Sequence, residues 1–153
     1  MAYIDRSIQI TWHSKRLQRD ITLPFTYNVC SAVGRNCPNQ TDDVMLVQTM
    51  LKMNAILNNP SSRIAALKID GVCGRKTIQA IFTAQEDARR SIGSAKLLVD
   101  GVVGRALGTV SPQGNEYLII HLNRSLFALS SARWSNLAKC VEVPAALKRA
   151  IAA

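Results

Sequence analysis

The sequence predicts a mainly α-helical fold, α+β overall, in which a small N-terminal β-hairpin precedes a helical core. Three observations carry this expectation. Apolar and polar residues alternate with a period of two near the start of the chain. From Thr41 onward the apolar residues recur at helical spacing. The turn sequence Asp-Gly-Val-x-Gly-Arg occurs twice, at 70–75 and at 100–105. Residues 1–38 are therefore expected to form a β element and loop, and residues 39–153 a helical domain built around the two turns.

The elements follow in order. Ile8, Ile10 and Trp12 alternate with Ser7, Gln9 and Thr11, the pattern of a half-buried strand. The run ITLPFTYNV is a second β-prone segment, confined by Pro24 to an edge or a bend. The two can pair as a hairpin through HSKRLQRD, with further strands confined to the first forty residues. After the loop GRNCPNQT, Thr41 can cap a helix. Asp42 and Asp43 suit its positive end, and Val44, Val47, Met50, Leu51 and Ala55 form its apolar stripe until NNPSS ends it. A second helix is predicted over about 76–89 on Ile78, Ile81 and Phe82, and a third, largely buried, over 116–129. Pro144 starts a short terminal helix.

Composition bounds the function. With 153 residues, 48% of them hydrophobic, the chain can bury a core without metal or disulfide staples. Lys and Arg outnumber Asp and Glu by 19 to 10, which favours polyanionic partners. These charges divide almost evenly between the two halves and form no run longer than two, so a nucleic-acid partner is not expected. No apolar run approaches the roughly 20 residues of a membrane helix. The N-terminus has no segment recognisable as a secretory signal. Cys30, Cys37, Cys73 and Cys140 form no C-x-x-C pair, and His13 and His121 stand alone, so neither a metal nor a cofactor is expected. Cys30 and Cys37 flank a loop short enough for a disulfide in an oxidising compartment. Cys73 reads as a buried small hydrophobe.

The repeated turn calls for backbone chemistry. Asp70 and Asp100 can accept hydrogen bonds from nearby amides, while Gly71 and Gly101 permit a positive φ. Val72 is expected to anchor the turn in the core. Gly74, and by analogy Gly104, would let the chain approach the next element closely.

These residues carry a resemblance. DDVMLVQTMLKM followed by LKIDGVCGRKTIQAIFTAQ resembles the peptidoglycan-binding domain family, in which a helix of the form V..LQ..L is joined to a segment DG.FG..T..A...FQ. Val44, Val47, Gln48, Leu51, Asp70, Gly71, Gly74, Thr77, Ala80, Phe82 and Gln85 stand at the matching places, over residues 42–87. The second half, from LLVDGVVGRALGTV, is similar in its opening to the related module behind lysozyme-like domains in phage-type muramidases, with Trp134 and Asn136 in the place of a later W.NR-like segment. Both turns depart from the family pattern where Arg75 and Arg105 replace a proline, and the second also where 106–108 lacks a threonine.

The resemblance implies a noncatalytic module that binds peptidoglycan, acting in the periplasm or cell wall. Wall peptides offer carboxylates, amides and sugar faces, which basic, amide and aromatic side chains suit. The candidates are Arg63, Lys68, Arg75, Lys76 and Gln79 around the first turn, and Arg105, Asn123 and Trp134 in the second half. An ordinary solvated helix face is the plainer reading of the first group. Two other classes stay open. A wall hydrolase would need a carboxyl pair, and Glu116, Glu142 and His121 are the residues without an assigned role. A protein-binding adaptor could dock a partner on the N-terminal β element by strand addition.

Overall fold

The computed structural model describes residues 1–93 and 96–152, and it is helix-dominated α+β with five α-helices and several short strands. Strands β1 (Tyr3–Asp5) and β4 (Thr26–Asn28) pair antiparallel, as do β2 (Ile10–Ser14) and β3 (Arg19–Leu23). The β2–β3 hairpin turns Ile10, Ile21 and Leu23 inward, and it pairs Thr11 with Thr22 and His13 with Asp20 on its outer face. Pro24 separates β3 from β4, because it cannot continue a ladder. A sixth strand lies outside the first forty residues. Strand β6 (Val102–Val103), directly after the second Asp-Gly turn, pairs with β5 (Val33–Gly34).

Helix α1 (Thr41–Asn58) is the axle of the fold, touching α2 (Arg75–Ile92), α3 (Leu118–Leu129) and α5 (Ala145–Ala152) as well as β4 and β5. It is therefore buried on more than one stripe: Leu46, Met53 and Thr49 join Val44, Val47, Met50 and Leu51 inside. Thr41 is the first helical residue rather than the cap, and Gln40 precedes it without a side-chain cap. The buried Asp43 carboxylate instead accepts the Cys30 and Ser31 amides at 3.0 Å, tying the β region to the helix start. Helix α2 closes on Gly93 in the left-handed conformation, with Arg89 and Arg90 in its last turn. The single-turn helix α4 (Ser131–Ser135), capped by Ser130, follows α3.

The strands and helices share one cluster of buried side chains. Its densest part is aromatic. Trp134 stacks on Phe25 at 4.4 Å and meets Tyr27 and Phe127 edge-on. Asn123 sits at the centre of this group, accepting from the Tyr27 amide and Trp134 Nε1 and donating to the Tyr27 and Ile119 carbonyls.

Candidate functional site

Both Asp-Gly turns are held by a glutamine projecting from a helix. At the first, Gln48 of α1 accepts the Asp70 and Gly71 amides through Oε1 at 3.0 and 2.9 Å. Its Nε2 reaches Asp70 Oδ1, the Val72 carbonyl and Thr77 Oγ1 at 2.9, 3.1 and 3.0 Å. At the second, Gln85 of α2 accepts the Asp100 and Gly101 amides at 3.1 and 2.8 Å, and donates to Asp100 Oδ1 and the Val102 carbonyl at 2.9 and 3.0 Å. In each turn the aspartate also accepts the amide two residues on, Val72 or Val102. Gly71 and Gly101 share a φ of 74°. The residue three before each glutamine covers the glycine: Met45 and the Thr41 methyl lie over Gly71, and the Phe82 ring lies over Gly101.

Each lock pairs three successive amides and one carbonyl of a chain reversal, using a buried glutamine and the turn's own aspartate. Hydrogen bonds from the Val72 amide, then from Gln48, hold the Asp70 carboxyl below the ordinary aspartate range. Two expectations fail locally. Val72 is 64% exposed and does not anchor the first turn; in the second, the buried residue is Val103. A Cβ at Gly74 or Gly104 would meet nothing within 4 Å, so neither glycine serves a close approach. Gly74 caps α2 with extended backbone.

The two turns lead into different structures. The first runs straight into α2. The second enters β6, then a segment without helix in which Ser111 and Asn115 close a small turn, before α3 begins at Leu118. Glu116 is bridged to both Leu97 and Val110. Between that segment and the second turn lies a half-open groove of about 200 Å³, whose lining includes Asp100, Ser111, Gln113, Asn115, Glu116 and Tyr117, with Leu98 at its apolar end.

None of the residues expected to bind ligand lines this groove. Arg63, Lys68, Arg75, Lys76 and Gln79 are exposed around the first turn. Arg105 donates to the Tyr3 hydroxyl and lies over its ring. Asn123 and Trp134 are 0% and 1% exposed and bonded to each other, so they build the core and cannot face a ligand. The cysteines are all free, so the disulfide that Cys30 and Cys37 could form in an oxidising compartment is not made in this structure. Cys37 lies instead within electrostatic reach of Cys73 in the first turn and Asp100 in the second. Burial pushes the Cys37 and Cys73 thiols above their usual range. Burial, with Arg124 nearby, lowers His121 to about 4, which keeps it neutral. Among the described residues no group of His, Cys, Asp or Glu could hold a metal, and no helix is long and apolar enough to cross a membrane.

Sequence reasoning left Gln48 and Gln85 without a role, although a glutamine precedes each turn. It also missed the groove, because Ser111, Gln113, Asn115 and Tyr117 come together only through an irregular segment with no periodicity. No protein-family model, curated protein or solved structure matches the chain.

Proposed function

We propose that the protein is a noncatalytic module that binds bacterial cell-wall peptidoglycan and targets a wall-acting system to it. The observation that supports this reading is the doubled lock. The positions through which the sequence resembles the wall-binding family include Gln48, Asp70, Gly71, Thr77, Phe82 and Gln85, and these are the residues that make or cover the two turns. The groove beside the second turn supplies polar and apolar groups suited to a peptide or sugar.

The test is sedimentation with insoluble, protein-free peptidoglycan at rising salt. The protein should pellet and leave the wall undigested. Replacing Arg75 and Lys76 together by alanine should remove the salt-sensitive part of retention, because exposed charges are screened beyond about 8 Å at physiological ionic strength. The fitted part should persist. Retention that vanishes entirely at modest salt would sink the reading, and release of soluble muropeptides would replace it with a hydrolase. A protein-binding adaptor is the second reading, favoured by the β2–β3 hairpin. That hairpin forms a two-stranded sheet of its own, with outer edges that pair with no other described strand.

A further inference from the structure

Cys37 and Cys73 stand on two segments that pack together at Gly34. The loop after β5 is closed by a turn in which the Cys37 amide donates to the Gly34 carbonyl at 3.3 Å. The Asn39 side chain fastens this loop, accepting from the Gly34 amide at 2.8 Å and donating to the Gly34 and Cys37 carbonyls at 2.9 and 3.0 Å. The Cys37 backbone is therefore fixed, and its thiol turns to the Arg35 carbonyl at 3.4 Å. Cys73 follows Val72 in the first turn, where Gln48 Nε2 and the Gly74 amide hold the Val72 carbonyl. Strand β5 touches α2, which begins at Arg75. The Cys73 sulfur lies against the Gly34 backbone, within hydrogen-bonding reach, and interacts with Cys37. Both cysteines are partly exposed. Cys30 is placed differently, before β5, with its amide held by Asp43, and the Cys140 thiol faces the Arg133 and Asn136 carbonyls.

We infer that Cys37 and Cys73 are the pair that forms a disulfide in an oxidising compartment, fastening the loop after β5 to the first turn. This crosslink is independent of what the protein binds. The loop is a junction between the two turns, because Gly34 pairs with Val102 of β6 and a Cβ placed on it would collide with the Gly101 carbonyl oxygen. The bond thus joins the first turn, through β5, to the second. The reaction is exchange with a small disulfide or a disulfide-bearing oxidoreductase. One cysteine thiolate attacks that disulfide, whose S–S bond breaks to give a mixed disulfide and one released thiolate. The other cysteine thiolate attacks the protein sulfur of the mixed disulfide and displaces the second. Two protons and two electrons leave the cysteines, and the oxidant departs as two thiols. Burial holds both protein thiols above their usual range, so exchange is slow near neutral pH, which suits a crosslink set once and not a fast sensor.

The experiment incubates the folded, reduced full chain in a buffer of reduced and oxidised glutathione, traps remaining thiols by alkylation, and maps peptides without reductant. One linked pair should appear, joining the peptide of Cys37 to that of Cys73, with Cys30 and Cys140 alkylated or carrying glutathione. The oxidised protein should melt about 5–10 °C above the reduced form, because the bond closes a loop of roughly 36 residues in the unfolded chain. Cys30→Ser should form the same link and show the same rise. Cys73→Ser should leave Cys37 without a protein partner and gain no thermal stability on oxidation. A peptide joining Cys30 to Cys37 would overturn the inference. So would a folded wild-type protein in which Cys37 and Cys73 remain thiols or stop at glutathione adducts.

Discussion

The two Asp-Gly turns are one device in two settings. Each has a buried glutamine, an aspartate closing onto the amide two residues ahead, and a glycine at a φ of 74° under a side chain from the same helix. The first turn is followed by α2 and contributes to the helical core. The second is followed by β6 and an irregular segment, and it borders the groove. Helix α2 belongs to both, leaving the first turn and carrying Gln85 to lock the second. The difference teaches that the lock specifies a reversal of the chain and nothing beyond it. The next element is set by the partner waiting there, α1 in one case and β5 in the other.

The largest effects should come from the glutamines. Gln48→Ala and Gln85→Ala each strand two turn amides, the Val72 carbonyl keeping the Gly74 amide and the Thr77 hydroxyl in the first turn, and a buried group left unpaired costs about 1–3 kcal/mol. A loss on the order of 2–5 kcal/mol in urea unfolding is expected for each. The comparison sharpens when ligand binding is read as well. Gln85→Ala should impair retention on peptidoglycan, whereas Gln48→Ala should not once both are measured well below their melting temperatures. Equal impairment would mean that the two turns are not functionally distinct.

Next come the glycines. Gly71→Val and Gly101→Val place a β-branched residue at positive φ, a conformational cost of roughly 1–3 kcal/mol. The neighbours separate them. A Cβ at 101 meets three atoms of the Phe82 ring at 2.5–3.1 Å, whereas at 71 it meets the Thr41 methyl at 2.6 Å and, at 3.2 Å, the flexible end of Met45 and the Thr41 carbonyl oxygen. Gly101→Val should therefore lower the melting temperature further than Gly71→Val. The opposite order would show that the ring moves aside more easily than the helix start.

Much of this fold was legible in the sequence, for identifiable physical reasons. Helices α1, α2 and α3 announce themselves by apolar spacing, and the hairpin by alternation followed by Pro24. Gly71 and Gly101 were readable because Asp-Gly constrains the backbone locally. Side-chain destinations were not. Val72 sits inside an apolar-looking motif yet points outward, and Asn123 looks like a polar surface residue yet satisfies four buried partners. Strand β6 was hidden because two residues carry no period, and its partner lies about seventy positions upstream. The groove was illegible because Ser111, Gln113, Asn115 and Glu116 reach it through a segment with no pattern of its own.

The smallest effect concerns a threonine that the first lock has and the second lacks. Thr77 stands six residues after Gly71, and Leu107, 71% exposed, stands six after Gly101. Gln48 Nε2 has two protons to share among Asp70, Val72 and Thr77, whereas Gln85 Nε2 has two protons for two acceptors. The Thr77 hydroxyl is thus a third acceptor for a donor that is already satisfied, and it returns a hydrogen bond to the Val72 carbonyl at 3.3 Å. Thr77→Val keeps the shape and removes the hydroxyl, so it should cost about 1 kcal/mol or less. Leu107→Thr should leave stability within about 0.5 kcal/mol, because an exposed position after β6 offers no route back to Gln85. A clear gain in melting temperature from Leu107→Thr would show that the second turn can close as the first does. Its separate path would then follow from the missing threonine and not from the strand that captures it.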